Sequence, residues 1–188
     1  MAKSDFRYPA TPEMASACPA STVSRMVNIN DPVFDEPREH PGSRCQRARL
    51  SRQAGSERLG LSLWELPPGE AAYPYHHHLT EEELILVLDG APSLRTPAGW
   101  RELQEGELVA FLRGKDGGHQ LANRTEHTVR FLSFSTSGEP DVVIYPDSGK
   151  LGAYERLPDG GGLRALFRLR DSVDYHDGEQ APPDMRAD

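Results

Sequence analysis

Apolar and polar residues alternate through most of the middle of the chain. In the segment 47–137 the period is two, and turn-forming residues recur about every eight to twelve positions. In the run 59–66, for example, leucines on one face of an extended chain alternate with Ser62 and Trp64 on the other. This pattern predicts short antiparallel strands rather than helices.

Further strands follow at similar spacing, and each is ended by residues that favour turns. We predict these strands at 93–95, 101–103, 108–112, 129–136 and 139–146, with turns at 67–70, 96–99, 104–107 and 123–126. The run 108–112 is the most apolar of them and is expected to be buried. Together the strands predict an all-β fold, a single small antiparallel β-barrel whose mouth could hold a ligand.

The two ends of the chain differ from the barrel segment 47–137. The first half of the segment 1–46 mixes Pro, Ala, Ser and Thr, and its apolar residues show no periodicity. Residues 1–46 are therefore predicted to form a partly flexible N-terminal arm. The segment 138–170 is expected to supply additional strands, and its apolar run 163–169 to form an edge strand on this barrel or on a partner's. Residues 171–188 are predicted to be a flexible acidic tail.

Composition narrows the class of protein. A chain of 188 residues is long enough for one domain with tails, and its net charge of −8 without a Lys/Arg run argues against nucleic acid as a partner. No segment approaches the roughly 20 apolar residues of a membrane helix. The first residues lack an apolar run, so we expect no secretory signal and a cytoplasmic location. Cys18 and Cys45 are interpreted as free thiols.

Three consecutive histidines and a nearby glutamate carry the clearest chemical signal. On an extended strand His76 and His78 point to one face and His77 to the other. Glu83 reaches the face of His76 only if residues 79–82 form a turn. The stretch is either a solvated polar loop or half of a metal site. We interpret His77 as a surface or dimer-contact histidine, the alternative being ligation by His77 after a one-residue slip.

A second segment favours the metal site. His119 follows a Gly-rich turn, at the start of a predicted strand, and is the natural fourth ligand. The two stretches together, with glycine, His-x-His, glutamate and glycine followed by glycine, histidine and asparagine, resemble the paired motifs of the cupin superfamily. Two departures lie in the second motif: Leu112 stands where proline is usual, and four residues rather than two separate Gly114 from His119.

The resemblance implies a double-stranded β-helix, or jelly roll, that holds one divalent ion and often pairs into a homodimer. It carries over His76, His78, Glu83 and His119 as the metal ligands. Imidazole and carboxylate ligands suit Mn, Fe, Co, Ni, Cu or Zn, so the identity of the metal is left open. Glu83 is preferred because six residues separate it from Gly90, the spacing of the family, and Glu82 is the alternative. Otherwise Glu82 and the adjacent Glu81 are interpreted as solvated turn residues.

Strand parity and position in the sequence suggest which other residues line the pocket. Tyr73 and Tyr75 directly precede the ligands, and a tyrosine beside a metal can act as an acid or a hydrogen-bond donor. Arg113, in the loop before His119, could recognise an anionic substrate. The remaining candidates for substrate binding, each with core packing or solvation as its alternative, are Trp64, Phe111, Asn123 and Ser133.

Three functions are compatible with these residues. The first is a metal-dependent enzyme acting on a small oxygenated molecule, either an isomerase of sugar type or a dioxygenase. The second is a non-catalytic module that binds a sugar or an acid through its metal. The third is a metal that only stabilises the fold, which fits poorly because structural zinc sites are usually closed and rich in thiolates.

Overall fold

The computed structural model describes residues 25–137, 140–155 and 162–180. They form twelve strands and one short α-helix. The elements are β1 (Gln46–Ala48), α1 (Leu50–Ala54), β2 (Leu59–Leu66), β3 (His77–His78), β4 (Glu83–Asp89), β5 (Ser93–Thr96), β6 (Gly99–Glu102), β7 (Leu108–Phe111), β8 (Gln120–Ala122), β9 (Val129–Thr136), β10 (Asp141–Tyr145), β11 (Lys150–Tyr154) and β12 (Arg164–Arg168).

All strand pairs are antiparallel, and they are arranged in three sheets. The largest sheet has the order β1-β2-β9-β4-β7, the second has β12-β11-β10-β3, and the third has β6-β5-β8. Isolated bridges, among them His76 with His119, connect the chain between sheets. The predicted all-β fold of the double-stranded β-helix type is therefore confirmed, although its hydrogen-bond ladders do not run continuously around the molecule.

The five-stranded sheet carries buried apolar residues on both faces. One face packs inside the molecule on a core that includes Trp64, Ile85 and Phe131. The other face carries Leu63 and Leu132, and these are covered by α1 and by side chains of the segment 25–45. Strand β2 supplies both faces, because its residues alternate as the sequence pattern predicted. The apolar residues 59–66 therefore serve two cores.

Two local expectations were wrong. The stretch after residue 47 was predicted to be extended throughout, but α1 lies within it and ends at Gly55, whose φ of 80° is the left-handed conformation that glycine adopts without strain. Strand β7 was expected to be buried, yet Leu108 is 60% exposed and Leu112, just beyond it, 65% exposed. Only the Phe111 end of β7 is buried, and that end faces the predicted ligands.

The C-terminal part of the described chain continues the β structure with β10, β11 and β12. Strand β12 pairs with β11 of the same chain at the edge of its sheet, as an edge strand was expected to do, and exposes Leu166 and Phe167. The homodimer expected from the sequence stays a prediction.

Cys45 is a buried free thiol. Cys18, the first part of the predicted N-terminal arm and the last residues of the predicted tail lie outside the described residues. Among the described residues, no helical segment has the length and hydropathy of a membrane span.

Candidate metal centre

The four predicted ligands come from three places in the fold. His76 faces His119 across an antiparallel bridge in which each backbone N–H donates to the other carbonyl, with N···O distances of 3.1 and 2.9 Å. His78 lies on β3 and Glu83 begins β4. The turn between them is held by hydrogen bonds from Leu79 N to Val142 O and from Glu82 N to Thr136 Oγ1. This is the turn that the sequence required.

The side chains of these four residues converge. His76 Nε2 lies 3.1 Å from His78 Nε2. Glu83 Oε2 lies 3.3 Å from His78 Nε2 and 3.1 Å from His119 Nε2. One ligand atom from each of His76, Glu83 and His119 falls within 4.8 Å of the others. The structure thus brings together all four side chains that the sequence assigned to one site.

The outward ring nitrogen of each histidine is occupied by a hydrogen bond. His76 Nδ1 lies 2.9 Å from the carbonyl oxygen of Pro74, and His119 Nδ1 lies 3.0 Å from that of Gly117. A carbonyl oxygen only accepts, so in these two rings Nδ1 carries the proton and Nε2 presents a lone pair. His78 Nδ1 lies 2.7 Å from Asp141 Oδ2. All three rings can therefore direct Nε2 at the same point.

The four side chains differ in their electrostatics. Burial, followed by the neighbouring His119, lowers the pKa of His76 to about 3. Burial would also lower the pKa of His78, but its hydrogen bond to Asp141 and its close contact with the Glu83 carboxylate outweigh that effect and raise the pKa to about 10. Burial would raise the pKa of Glu83, but the imidazoles of His119 and His78 hold it well below its usual range. In neutral solution the cluster combines an anionic carboxylate with a neutral His76.

The donor set fits a divalent cation. Ligand atoms about 2.1 Å from an ion stand about 3.0 Å apart at a right angle and about 3.4 Å apart at the tetrahedral angle. The separations of 3.1 and 3.3 Å that surround Glu83 Oε2 fall between these values. Within the described residues, Glu83 Oε2 is also buried without a well-formed hydrogen bond. An ion at this point would satisfy that oxygen and the inward lone pairs.

A second acidic cluster adjoins His78 on the side away from Glu83. It consists of His78, Glu81 and Asp141, with one ligand atom from each within 4.8 Å of the others. Glu81 is only 2% exposed and Asp141 is fully buried. The expectation that Glu81 is a solvated turn residue was therefore wrong, because the turn directs its side chain inward. Glu82 is exposed, as expected.

Aromatic rings enclose the ligands. The Tyr73 ring meets His76 and His119 edge-on, with centroids 5.0 and 5.5 Å away. Phe111 stacks on His119 at 3.9 Å, and Tyr145 lies 6.0 Å from His76. Tyr73 Oη is buried and has no hydrogen-bond partner among the described residues. Burial, followed by the charge of Glu83, raises the pKa of Tyr73 well above its ordinary value, so this hydroxyl keeps its proton.

Other predicted site residues have different surroundings. Tyr75 lies beneath the guanidinium of Arg95, 4.3 Å from ring centroid to Cζ, rather than against the ligating rings. Asn123 is buried, and its amide donates to Leu66 O and His127 O, so it holds a turn. Arg113 is exposed and lines a surface groove of about 450 Å³ beside Glu82.

The remaining predictions face the interior. Trp64 is 3% exposed and packs in the inner core against Tyr73 and Phe131. Ser133 is half-buried in β9, paired in register with Ser62 and Ile85. His77 is 9% exposed, so it is not an exposed surface histidine, and its role as a dimer contact stays a prediction. Strand β10 pairs alongside it, with Ile144 opposite His77, and this neighbour could not be foreseen from the histidine stretch alone.

Sequence reasoning missed the contribution of β10 to the site. Asp141, Val143 and Tyr145 share one face of this strand, and Val143 pairs with His78. The available signal was the alternation of an acid, a valine and a tyrosine in 141–145. That alternation indicates a strand but does not say which strand is its partner.

Comparison with known proteins agrees with this fold. The family model of the cupin domain matches residues 62–135. A search of curated protein sequences finds no match. Among solved structures, one similar protein is described as a "putative sugar phosphate isomerase" from Acidithiobacillus ferrooxidans, with 25% identity, a TM-score of 0.63, and coverage of 71% of this chain and 82% of that one. A sugar phosphate isomerase of a cupin superfamily from Silicibacter pomeroyi shows 27% identity, a TM-score of 0.62 and the same coverage.

The fold and the matched segment define a cupin-type β protein with a candidate His/Glu metal centre. Residues 62–135 match the cupin domain, and similar solved structures include a protein of a cupin superfamily. The resemblance expected from the two motifs is confirmed. The segments that contain β1, β10, β11 and β12 lie outside the matched residues.

Proposed function

We propose that this protein is a metal-dependent isomerase that acts on a small phosphorylated sugar. The observation that carries the proposal is the convergence of His78 Nε2 and His119 Nε2 on the buried Glu83 Oε2, with His76 Nε2 3.1 Å from His78 Nε2, inside a cupin domain. The choice of reaction is supported by the two similar structures described as sugar phosphate isomerases. A divalent cation held by His76, His78, Glu83 and His119 would polarise a carbonyl or hydroxyl oxygen of the substrate.

Tyr73 is the side chain best suited to assist a substrate oxygen. Its ring touches two of the candidate ligands, while its buried hydroxyl has no partner within the described residues. Because its raised pKa keeps the hydroxyl protonated, Tyr73 would act as a hydrogen-bond donor or a general acid. Isomerisation moves a proton between neighbouring carbon atoms, and a fixed donor on the adjacent oxygen stabilises the charge that develops there.

The rings around the centre would exclude water from the reacting atoms. Phe111 covers one face of His119, and Tyr145 lies against His76. Tyr145 is held by a 2.9 Å hydrogen bond between its hydroxyl and that of Tyr154. Low water content strengthens every polar contact at the site and protects a reactive anion from unwanted protonation.

Arg38 is the candidate for recognising the phosphate group. It is half-buried, donates from Nη1 to Ala72 O at 3.0 Å, and places its guanidinium 4.8 Å from the Trp64 ring. No carboxylate of the described residues forms an ion pair with it. Its positive charge acts on both Tyr73 and Tyr145, lowering their pKa values against the larger effect of burial. A half-buried guanidinium without a counter-ion suits an anion.

The test combines metal analysis with an isomerase assay. Protein purified without chelators is analysed for metal and then loaded separately with Mn²⁺, Fe²⁺, Co²⁺, Ni²⁺, Cu²⁺ or Zn²⁺. Each form is incubated with aldose and ketose phosphates and with their unphosphorylated counterparts, and products are identified by NMR. We expect one equivalent of metal, isomer formed from a phosphorylated sugar, and loss of both in His76→Ala.

The same experiment separates the competing functions. Oxygen consumption without isomer formation would replace the proposal with a dioxygenase. Saturable binding of a sugar phosphate with no product over long incubation would replace it with a binding module. Arg38→Gln is expected to raise KM for the phosphorylated substrate about tenfold or more, since a charge-assisted contact is lost. Arg44→Gln, which removes an exposed arginine paired with Glu70, is the matched control.

A further inference from the structure

We propose that Asp141 is a positioning residue of the metal centre. Its carboxylate accepts a hydrogen bond from the Nδ1–H group of His78 and holds that imidazole with Nε2 toward the ion. The inference rests on the metal-binding half of the proposed function and is independent of the substrate. If Asp141 has this role, β10 contributes a residue to the site although it lies outside the matched cupin segment.

Pairing between two strands places Asp141 within reach of His78. Strand β10 runs antiparallel to β3, with Val143 opposite His78 and Ile144 opposite His77. Asp141 and Val143 lie on the same face of β10, so the Asp141 side chain sits diagonally beside the His78 ring. The result is the 2.7 Å contact between Asp141 Oδ2 and His78 Nδ1. That distance is typical of a charge-assisted hydrogen bond.

His78 has a different kind of anchor from the other two histidines. The rings of His76 and His119 are oriented by backbone carbonyls of their own local chain, at Pro74 and Gly117. His78 depends instead on a side chain 63 positions away in the sequence. A carboxylate in this position orients the ring, fixes its tautomer and makes Nε2 a stronger ligand than a carbonyl partner does.

Asp141 is itself fixed. It is fully buried, and its other oxygen, Oδ1, accepts a 2.8 Å hydrogen bond from Thr80 Oγ1. Among the described residues, Glu81 is the other acid on the Nδ1 side of this ring, but its Oε2 lies 3.8 Å from His78 Nδ1, too far for a hydrogen bond. The geometry therefore assigns the orienting role to Asp141 rather than to Glu81.

A second metal ion is the competing explanation of this cluster. His78, Glu81 and Asp141 offer three ligand atoms within 4.8 Å of one another. However, a separation of 2.7 Å is that of an N–H···O hydrogen bond, and a nitrogen that donates its proton cannot also bind an ion. The positioning role predicts one equivalent of metal, whereas a second site predicts two.

The test measures metal affinity with no substrate present. Dissociation constants for Zn²⁺ and Mn²⁺ are determined by competition with a chromophoric chelator for wild type, Asp141→Ala and Asp141→Asn. We expect affinity to fall about 10-fold to 100-fold in Asp141→Ala. Asp141→Asn should lose less, because its amide oxygen can still accept the Nδ1 proton. Asp147→Asn, which removes an exposed carboxylate paired with Arg95, should bind as wild type does.

A spectroscopic measurement distinguishes positioning from general destabilisation. In zinc-loaded protein with ¹⁵N-labelled histidine, long-range ¹H–¹⁵N correlations should show His78 protonated at Nδ1. In Asp141→Ala the protected Nδ1 proton of His78 should be lost while those of His76 and His119 remain. If the alanine variant does not fold, the asparagine variant, which preserves the shape of Asp141, decides by the same two measurements.

Failure of this inference is distinguishable from failure of the site. If Asp141→Ala binds metal within twofold of wild type while His76→Ala loses it, the positioning role alone is overturned. If wild type binds two equivalents and Asp141→Ala one, the second-ion explanation replaces it. If His76→Ala retains full affinity, the metal centre itself is wrong, and with it both this inference and the proposed function.

Discussion

Glu83 Oε2 lies 3.1 Å from His119 Nε2, while Glu82, the adjacent acid, is exposed to solvent. This relationship favours Glu83 as the metal ligand over Glu82, the alternative that the sequence left open. Substitution of a residue that only orients a metal ligand typically lowers metal affinity by about 10-fold to 100-fold. Glu83→Gln is expected to lower it by more than about 100-fold, because it removes an anionic ligand. Glu82→Gln should bind metal as wild type does. Chelator competition measures both, and a loss confined to Glu82→Gln would reverse the assignment.

The hydroxyl of Tyr73 should matter for activity and not for stability. Tyr73→Phe removes a buried hydroxyl without a hydrogen-bond partner, so we expect the free energy of unfolding to be unchanged or to rise by about 1 kcal/mol. If Tyr73 donates to the substrate, kcat should fall about 100-fold or more at unchanged metal content. Chemical denaturation and steady-state kinetics measure the two quantities.

Tyr75→Phe is the matched control for that substitution. Tyr75 also precedes the ligands, but its ring lies against Arg95. We expect its kcat to stay within about threefold of wild type. Equal losses of kcat in both variants would show that the structure does not separate the two tyrosines by function.

Much of the fold and of the candidate site could be predicted from the sequence because the signals are local. The alternation that runs through β2 and β9 predicted both strands with the bounds that they have in the structure. The His-x-His parity, the turn before Glu83 and the position of His119 depend on spacing and strand geometry, and the structure brings these side chains together.

What escaped prediction depends on which strands become neighbours. The burial of His77 and the approach of Asp141 to His78 follow from the pairing of β10 with β3, and Glu81 is buried because the turn after β3 directs its side chain inward. Alternation identifies a strand but leaves its partner open, and a consecutive run of glutamates has no periodicity that marks one as buried. The helix α1 was missed because its five residues are too few for a helical period to show.

Gly117 holds the loop that positions His119, and it should not tolerate a side chain. A Cβ atom at this position would meet Leu112 O at 1.7 Å, a backbone atom that cannot rotate away. Gly117 O also accepts the Nδ1 proton of His119. Gly117→Ala should therefore lower the free energy of unfolding by about 1–3 kcal/mol and weaken metal binding. The exposed neighbour Asp116→Ala should change neither quantity; wild-type affinity and stability in Gly117→Ala would contradict this account of the loop.

Metal binding should release a proton, and the pKa values identify its source. With a pKa of about 10, metal-free His78 is protonated at pH 7.5, whereas His76, with a pKa of about 3, is neutral and Glu83 is ionised. The ion must displace the His78 proton, so apparent affinity should rise about tenfold for each pH unit between pH 7 and 9 and level off above pH 10.

Calorimetric titration at pH 7.5 in buffers of different ionisation enthalpy counts the proton directly. We expect about one proton released for each Zn²⁺ bound. The protonated His78 also stabilises the metal-free protein, because the pKa of His78 is about 10 in the folded state and 6.5 in the unfolded state. This stabilisation is fully present below pH 6.5 and is lost as the pH rises through about 10. Melting of metal-free protein should therefore occur at a lower temperature at pH 10 than at pH 7, and less so in Asp141→Asn. Zinc binding without proton release at pH 7.5 would mean that His78 is already neutral and that the Asp141 and Glu83 contacts do not hold its charge.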